Sequence, residues 1–154
     1  MTVRRDLTET DLLGAGNTQL EALFRASPPG DIPRGPTRGT AIITPGTRAT
    51  IVLARLVHLF AWQGKVFDRD GRALTNRVGP FDLRAVRATV GPGLSWLDGR
   101  ECIVIDYSRT SFVARAVRDE IRLVAPDLYF GAVWLRRRRV AWFLLRVPPS
   151  TPTA

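Results

Sequence analysis

The second half of the chain consists of short runs of alternating apolar and polar residues, separated by turn signals about every eight to twelve residues. Asp70-Gly71 and Asp98-Gly99 are dipeptides that favour tight hairpins. The runs are 65–68 with 73–78, then 83–90, then 95–97 with 101–107, and last 128–135 with 140–147. This pattern predicts an antiparallel sheet or barrel, in which 91–93 ends the run 83–90 and the arginines 136–139 form the tip of the last hairpin.

Three segments precede the sheet. Leu12, Leu20 and Phe24 recur at partly helical spacings, so residues 6–26 predict a short amphipathic helix. Residues 27–46 carry five prolines, each of which removes an amide donor, and we expect a surface connector with a short strand at 40–44. Residues 47–62 are the most hydrophobic segment and predict a helix. It either packs on the sheet or forms a lid whose apolar face meets ligand or lipid.

Residues 111–124 give an ambiguous pattern. Their apolar residues recur at three- and four-residue spacing, which predicts a helix or bent segment that passes into a strand near Ile121. At helical spacing Arg115 shares a face with Asp119, and Arg118 shares one with Arg122. We interpret these charges first as a solvated set of ion pairs, each contributing about 0.3–0.5 kcal/mol.

The length of 154 residues fits a single domain. Within it we expect an N-terminal helix and connector at 1–46, a helix followed by an antiparallel β-barrel at 47–147, and a disordered tail at 148–154. The formal net charge is +9, and 22 of the 23 basic residues are arginine, Lys65 being the exception. Most of these arginines are interleaved with carboxylates, and no groove-reading helix is evident. Nucleic acid is therefore disfavoured as a partner.

Few residues suit metal or covalent chemistry. Cys102 is the only cysteine and His58 the only histidine, so neither an internal disulfide nor a metal site is expected. Phosphate-loop, dinucleotide and nucleophile-elbow motifs are absent, and no cofactor is predicted. The sequence lacks an apolar run typical of a signal peptide or a transmembrane helix, which favours a cytoplasmic protein. The basic hairpin at 136–139 adds membrane association as an alternative.

The candidate catalytic residues are a carboxylate and a phenol at the end of an apolar strand, Asp106 and Tyr107, together with Asp119. A second set is suited to line a cavity and to orient the polar end of a ligand. Its members are Trp62, Phe67, Tyr107, Phe112, Arg118, Tyr129 and Trp134. The arginines Arg136, Arg137, Arg138 and Arg139 lie between two tryptophans and suggest contact with an anionic membrane surface or a nucleic-acid backbone.

Several blocks between Trp62 and Arg146 resemble the GXWXG-type domain family. The blocks are 62–68, Asn76, 103–107, 117–119, 128–131 and 142–146. This resemblance implies a lipocalin-like (calycin) β-barrel with an internal, mainly apolar cavity, and it brings no established reaction. The expected fold is therefore mainly β (α+β): a small antiparallel lipocalin-like barrel with an N-terminal helical segment and an apolar capping helix.

Three functions follow as hypotheses. The first is binding of a lipophilic small molecule, such as a fatty acid, polyketide or isoprenoid, inside the barrel, because about eight strands leave room for one small ligand. The second is a cofactor-independent cyclase or isomerase that acts on a polyketide-like substrate in the same cavity. The third is peripheral attachment to a membrane or nucleic acid through the basic hairpin. Whether the protein is an enzyme stays open, as do the ligand and the oligomeric state.

Overall fold

One antiparallel sheet dominates the computed structural model, which describes residues 6–42, 62–78, 83–109 and 115–149. Two helices and nine strands lie in these ranges. They are α1 (Glu9–Leu13), α2 (Asn17–Ala26), β1 (Gly35–Pro36), β2 (Arg38–Ile42), β3 (Trp62–Phe67), β4 (Ala73–Val78), β5 (Leu83–Leu94), β6 (Glu101–Asp106), β7 (Val117–Ala125), β8 (Leu128–Leu135) and β9 (Arg138–Arg146).

The sheet curls into a nearly closed barrel. Its strand order is β1-β3-β4-β5-β6-β7-β8-β9-β2, and every pairing is antiparallel. Strands β1 and β2 are consecutive in the chain and are separated only by Thr37. One stretch of chain therefore pairs with β3 at one edge of the sheet and with β9 at the other.

Two apolar cores lie on the two faces of this curved sheet. The inner core draws residues from β3 through β9 and includes Phe67, Ile105, Ile121, Phe143 and Leu145. The outer core lies between β7, β8, β9 and the two helices, and it includes Leu20, Phe24, Phe130, Trp142 and Leu144. Because successive strand residues point to opposite faces, β8 and β9 supply both cores alternately.

The N-terminal helices cover the outer core. A capping box between Thr8 and Asp11 begins α1, and the Gln19 side chain accepts a hydrogen bond from the Gly16 amide at the start of α2. Leu20 and Phe24 of α2 are fully buried. The predicted N-terminal helical segment is thus confirmed, as two helices that share one apolar side.

The predicted hairpins are confirmed at 70–71 and at the arginine tip, where β3 pairs with β4 and β8 with β9. The prediction that 91–93 ends a strand is wrong, because β5 runs on to Leu94 and pairs with β6. Gly93 permits this since a Cβ there would crowd Cγ2 of Val104. Residues 95–97 form no strand and lie in the turn between β5 and β6.

Two other segments differ from their predictions. The connector contributes strands β1 and β2, with β2 at Arg38–Ile42 rather than 40–44, and Thr37 is fully buried instead of lying at the surface. Residues 117–125 are strand from their first residue, so the helical spacing that would pair Arg115 with Asp119 is wrong. The predicted apolar helix falls on 47–61, outside the described residues, and Trp62 already belongs to β3.

Among the residues that the structure describes, no helix is both long and apolar enough to cross a membrane.

Candidate binding site inside the barrel

The closing stretch of chain positions Lys65. The Thr37 amide and hydroxyl both donate to the Lys65 carbonyl at 2.8 Å, and the Lys65 amide donates to Thr37 Oγ1 at 3.3 Å. The preceding Gly64 lies at a register shift with φ +148°, and a Cβ there would collide with the Thr37 backbone. A glycine is therefore needed for the chain to approach Thr37 this closely, which fixes the backbone from which the Lys65 side chain projects.

Lys65 meets three polar side chains inside the barrel, which together with it we call the inner cluster. Its Nζ donates to Asn76 Oδ1 at 2.9 Å and to the Tyr107 hydroxyl at 2.6 Å, and it forms an ion pair with Asp119 Oδ2 at 2.9 Å. Tyr107 also accepts from Asn76 Nδ2 at 3.0 Å and lies 3.3 Å from Asp119 Oδ2. All four residues are at most 6% exposed.

The barrel brings these side chains together from distant strands. Lys65 is on β3 and Asp119 on β7, which are four places apart in the sheet order. Asn76 is the direct partner of Lys65 on β4, and Tyr107 directly follows β6. An ion pair between β3 and β7 is possible only because the sheet curls so that its inner face meets itself.

Aromatic and small residues enclose the inner cluster. The Lys65 ammonium lies 5.3 Å from the ring centroids of both Tyr107 and Phe143, within cation–π range. The Phe143 ring lies over Gly131, where any Cβ would overlap the ring. Gly131 therefore provides the space that lets Phe143 pack against Lys65.

Burial and the ion pair with Asp119 together determine the ionisation of Lys65 and Tyr107. Burial disfavours the charged form of Lys65, but the Asp119 carboxylate and Tyr107 outweigh this effect and raise the pKa of Lys65 above its ordinary value. Burial raises the pKa of Tyr107 to about 12, with Asp119 acting in the same direction. At neutral pH Lys65 is therefore an ammonium group, ion-paired with Asp119, and Tyr107 is a neutral phenol.

Asp119 Oδ1 stands apart from the other polar atoms of the inner cluster. It is buried, and it has no hydrogen-bond partner within the part of the chain that the structure describes. An unsatisfied buried carboxylate oxygen costs about 1–3 kcal/mol or more. This atom is an open acceptor in an otherwise closed network.

The outer face of β7 carries a second buried ion pair, Arg122 with Asp98, which we call the outer clamp. Arg122 donates to both carboxylate oxygens of Asp98, at 2.6 and 2.8 Å, and also to the backbone carbonyls of Phe24, Arg100 and Glu101. The Arg122 hydrogen bonds lower the pKa of Asp98 to about 2. The outer clamp ties α2 and the β5–β6 turn to the sheet.

Glu120 lies next to the outer clamp on the same face of β7 and is fully buried. It accepts from the Ser95 hydroxyl at 2.6 Å and from the Trp96 amide at 2.8 Å, and it pairs with Arg118 at 3.1 Å. The Arg118 guanidinium also stacks on the Trp96 ring, 4.3 Å from its centroid. These bonds hold the β5–β6 turn against the sheet.

The structure brings together two of the three candidate catalytic residues. Tyr107 and Asp119 belong to the inner cluster, whereas Asp106 accepts a hydrogen bond from the Ser108 amide at 2.8 Å on the other face of its strand. Asp106 is therefore separated from the other two by strand alternation.

The predicted cavity residues are divided between the two faces of the sheet. Phe67, Tyr107 and Tyr129 lie in the inner core, and the Tyr129 hydroxyl donates to the carbonyl of Asp31. Arg118 and Trp134 lie on the outer face, so they do not share an enclosure with the other three. Phe112 and the side chain of Trp62 fall outside the described residues.

Sequence reasoning missed Lys65 and Asn76 as site residues. A charged or amide side chain within an alternating run is ordinarily read as the solvent face of a strand. A signal was nevertheless present, because Lys65 is the only lysine in a chain with 22 arginines. Lys65 also lies two residues before Phe67 in β3, so its side chain points to the same face of the strand, which is the core face.

The four arginines of the basic tip at 136–139 have different surroundings in the structure. Arg136 and Arg137 occupy the turn with φ of 48° and 65°, and Arg137 stacks on Trp96 at 4.7 Å. Arg139 instead donates to Asn17 at 2.8 Å and stacks on Trp142 at 4.2 Å. Arg139 is therefore bound to the N-terminus of α2. The exposed part of the tip consists of Arg136, Arg137 and Arg138.

No group of three metal-ligating side chains occurs among the described residues. Cys102 is buried, and burial raises the pKa of its thiol to about 12. This thiol is therefore unsuited to act as a nucleophile at neutral pH.

The comparisons with known proteins support the fold and indicate no activity. No protein-family model and no curated protein sequence matches the chain. A crystal structure of a protein from Thermomonospora curvata is similar, with a TM-score of 0.65 and 18% sequence identity over 87% of this chain and 88% of that chain. This likeness supports a small, mostly antiparallel β-barrel, and the resemblance to the GXWXG-type family stays a prediction.

Proposed function

We propose that the barrel binds a lipophilic small molecule, of the fatty-acid, polyketide or isoprenoid kind, with its polar group at the inner cluster. The observation that carries this proposal is a buried ion pair with an open acceptor, Asp119 Oδ1, among apolar side chains. Buried ion pairs are weak sources of stability, because desolvation offsets much of the attraction. A polar site in an apolar enclosure is instead typical of small-molecule binding. On this proposal the barrel is of the lipocalin-like type.

The direct test is a binding panel. The purified protein is first examined by native mass spectrometry for a co-purified ligand, and then titrated calorimetrically with decanoate, decanol, geraniol and naphthol. We expect saturable one-to-one binding of at least one probe. Saturation by none of them, with no co-purified ligand, would refute the proposal.

Two matched variants, each with an enlarged side chain in one of the two cores, test where the ligand binds. Ala88 lies in the inner core and Ala132 in the outer core, and both are fully buried. Replacing either by Leu costs about 1–3 kcal/mol of stability through overpacking. We expect Ala88→Leu to weaken binding at least tenfold and Ala132→Leu to leave the affinity unchanged. Equal effects of the two variants would place the ligand elsewhere.

A second candidate is a cofactor-independent isomerase or cyclase. It is favoured by the contact between a carboxylate and a phenol, Asp119 and Tyr107, in one enclosure. In such a reaction Asp119 takes a proton from the carbon next to a ketone, leaving an enolate and a protonated Asp119, and the proton is then returned to carbon.

The isomerase hypothesis is tested with decan-2-one in deuterated water. Nuclear magnetic resonance follows the exchange of hydrogen for deuterium beside the carbonyl. Acceleration by the wild type that is lost in Asp119→Asn and kept in Asp127→Asn, an exposed position, would support an enzyme. Binding without accelerated exchange would favour a binding protein.

A third candidate is attachment to an anionic membrane surface through Arg136, Arg137 and Arg138. It is favoured by the stacking of Arg137 on Trp96, which is 38% exposed and so presents an aromatic ring beside cationic groups. The triple change of these arginines to Gln should abolish cosedimentation with phosphatidylglycerol vesicles at low salt. Arg139→Gln is the matched control, because Arg139 is bound to α2. Absence of wild-type cosedimentation would dismiss this candidate.

A further inference from the structure

The two carboxylate oxygens of Asp119 have different surroundings. Oδ2 is paired with the Lys65 ammonium at 2.9 Å and lies 3.3 Å from the Tyr107 hydroxyl. Oδ1 has no partner within the described residues, although the whole residue is 3% exposed. One oxygen therefore belongs to the internal network, and the other is a buried acceptor without a donor.

The other atoms of the inner cluster are already engaged. The Lys65 ammonium is surrounded by three acceptors, from Asn76, Tyr107 and Asp119. The Asn76 amide donates to the Tyr107 oxygen at 3.0 Å. A ligand that bound through one of these donors would have to displace an existing bond, whereas a ligand that donates to Asp119 Oδ1 displaces none.

The charges of Lys65 and Asp119 limit the chemical class of ligand that the inner cluster can bind. Among the described residues of the inner cluster, Asp119 carries the negative charge and Lys65, which is already paired with it, carries the positive charge. A carboxylate ligand would therefore bring a second negative charge beside Oδ1. A protonated amine would bring a second positive charge beside Lys65. An ether or ester offers only lone pairs to an atom that itself only accepts.

We propose that Asp119 Oδ1 recognises a neutral hydroxyl group on the ligand, that of an alcohol, phenol or enol, and that the site discriminates against the corresponding carboxylate. This inference rests on the proposed function, namely that the barrel interior binds a lipophilic small molecule. It narrows the candidate ligands from fatty acids, polyketides and isoprenoids to those that carry a free hydroxyl group.

The test uses two carbon scaffolds, each in three forms: decanol, decyl methyl ether and decanoate, and naphthol, methoxynaphthalene and naphthoate. Calorimetry with the wild type should show that the alcohol of at least one scaffold binds tenfold or more tightly than its methyl ether, and that the carboxylate is weaker than the alcohol. A hydrogen bond to a charged acceptor is expected to give a factor of this size.

The Asp119→Asn variant should invert the order. The amide oxygen must face the Lys65 ammonium, because that group only donates, and the amide nitrogen then occupies the place of Oδ1. The position becomes a donor, and the charge of Lys65 is no longer neutralised by Asp119. The carboxylate should now bind more tightly than the alcohol, while the exposed control Asp127→Asn keeps the wild-type order.

The outcomes separate the two proposals. Equal affinity of alcohol and methyl ether for the wild type would overturn the hydroxyl inference and leave the binding function intact, because it would show that the ligand does not donate to Oδ1. Saturation by none of the six probes and not by geraniol, with no co-purified ligand, would overturn both. The comparison within the wild type decides the question even where Asp119→Asn does not fold.

Discussion

Strand β7 carries a buried ion pair on each face, and the two are built differently. On the outer face Arg122 donates to both oxygens of Asp98 and to three backbone carbonyls. On the inner face Lys65 reaches one oxygen of Asp119 and leaves the other unsatisfied. Both pairs are almost wholly shielded from solvent, so exposure does not distinguish them.

The two ion pairs differ in the groups to which their members are hydrogen-bonded. The outer clamp bonds to the backbone of other segments, since Arg122 donates to the carbonyl of Phe24 at the end of α2 and to carbonyls at the start of β6, besides Asp98 in the β5–β6 turn. The inner cluster connects side chains to each other and ends at an open acceptor. Full satisfaction across several segments is typical of a structural role, and an open acceptor among apolar residues is typical of a binding role.

The largest effect is expected for Arg122→Met. It leaves the Asp98 carboxylate nearly buried without its bidentate partner and removes one hydrogen bond from each of three backbone carbonyls, so urea denaturation should show a loss of about 3–5 kcal/mol. The control is Arg100→Met, because Arg100 contacts the same carboxylate from a 45% exposed position and should cost less than about 1 kcal/mol. Similar losses for both variants would show that the outer clamp is not the main connection.

The second prediction concerns the inner pair. Lys65→Met leaves the Asp119 carboxylate buried and unpaired, and we expect a loss of about 3 kcal/mol. The double variant Lys65→Met/Asp119→Leu removes both charges and should recover most of this stability while losing ligand binding. If the double variant were as unstable as the single one, the inner cluster would be structural, as the outer clamp is, and the contrast between the two faces would fail.

The third prediction probes the packing that supports the inner cluster. A Cβ at Gly131 would overlap the Phe143 ring, so Gly131→Ala should cost about 1–3 kcal/mol and disturb the contact of Phe143 with Lys65. Gly91→Ala is the matched control, because Gly91 has no positive φ and open space around its Cβ position. Thermal unfolding of the two variants measures the difference, and equal melting temperatures would contradict the tight packing at Gly131.

The hairpins were predictable from sequence because their signals are local. The Asp70-Gly71 turn and the arginine tip each lie between two apolar runs, and the structure pairs those runs. Strand β7 was harder to predict because both of its faces are buried, which removes the alternation of apolar and polar residues. Of the two closing strands, β2 was predicted two residues too late, at 40–44. Strand β1 was missed because prolines argue against strand, whereas Thr37 supplies the hydrogen bonds beside Pro36.

Half of the inner cluster was predictable. Tyr107 and Asp119 are ordinary candidates for proton chemistry, and their residue types alone suggested them. Lys65 and Asn76 were missed because the partner that makes their burial possible lies on a strand four places away in the sheet. Sequence spacing contains no information on which charges meet across a barrel, so only the closed sheet could reveal the ion pair.

The smallest effect is the acid titration of the outer clamp. The pKa of Asp98 is lowered from its ordinary value of 3.8 to about 2, so its ionised form is bound more strongly in the folded state than in the unfolded state. Its contribution to stability is therefore complete above about pH 4 and is lost as the pH falls towards 2. The free energy of unfolding of the wild type, measured by urea denaturation, should exceed that of Asp98→Asn at pH 5 and approach it at pH 2. The exposed control Asp127→Asn should show no such convergence. A difference between wild type and Asp98→Asn that does not change with pH would mean that the bond geometry, and not the charge of Asp98, stabilises the outer face.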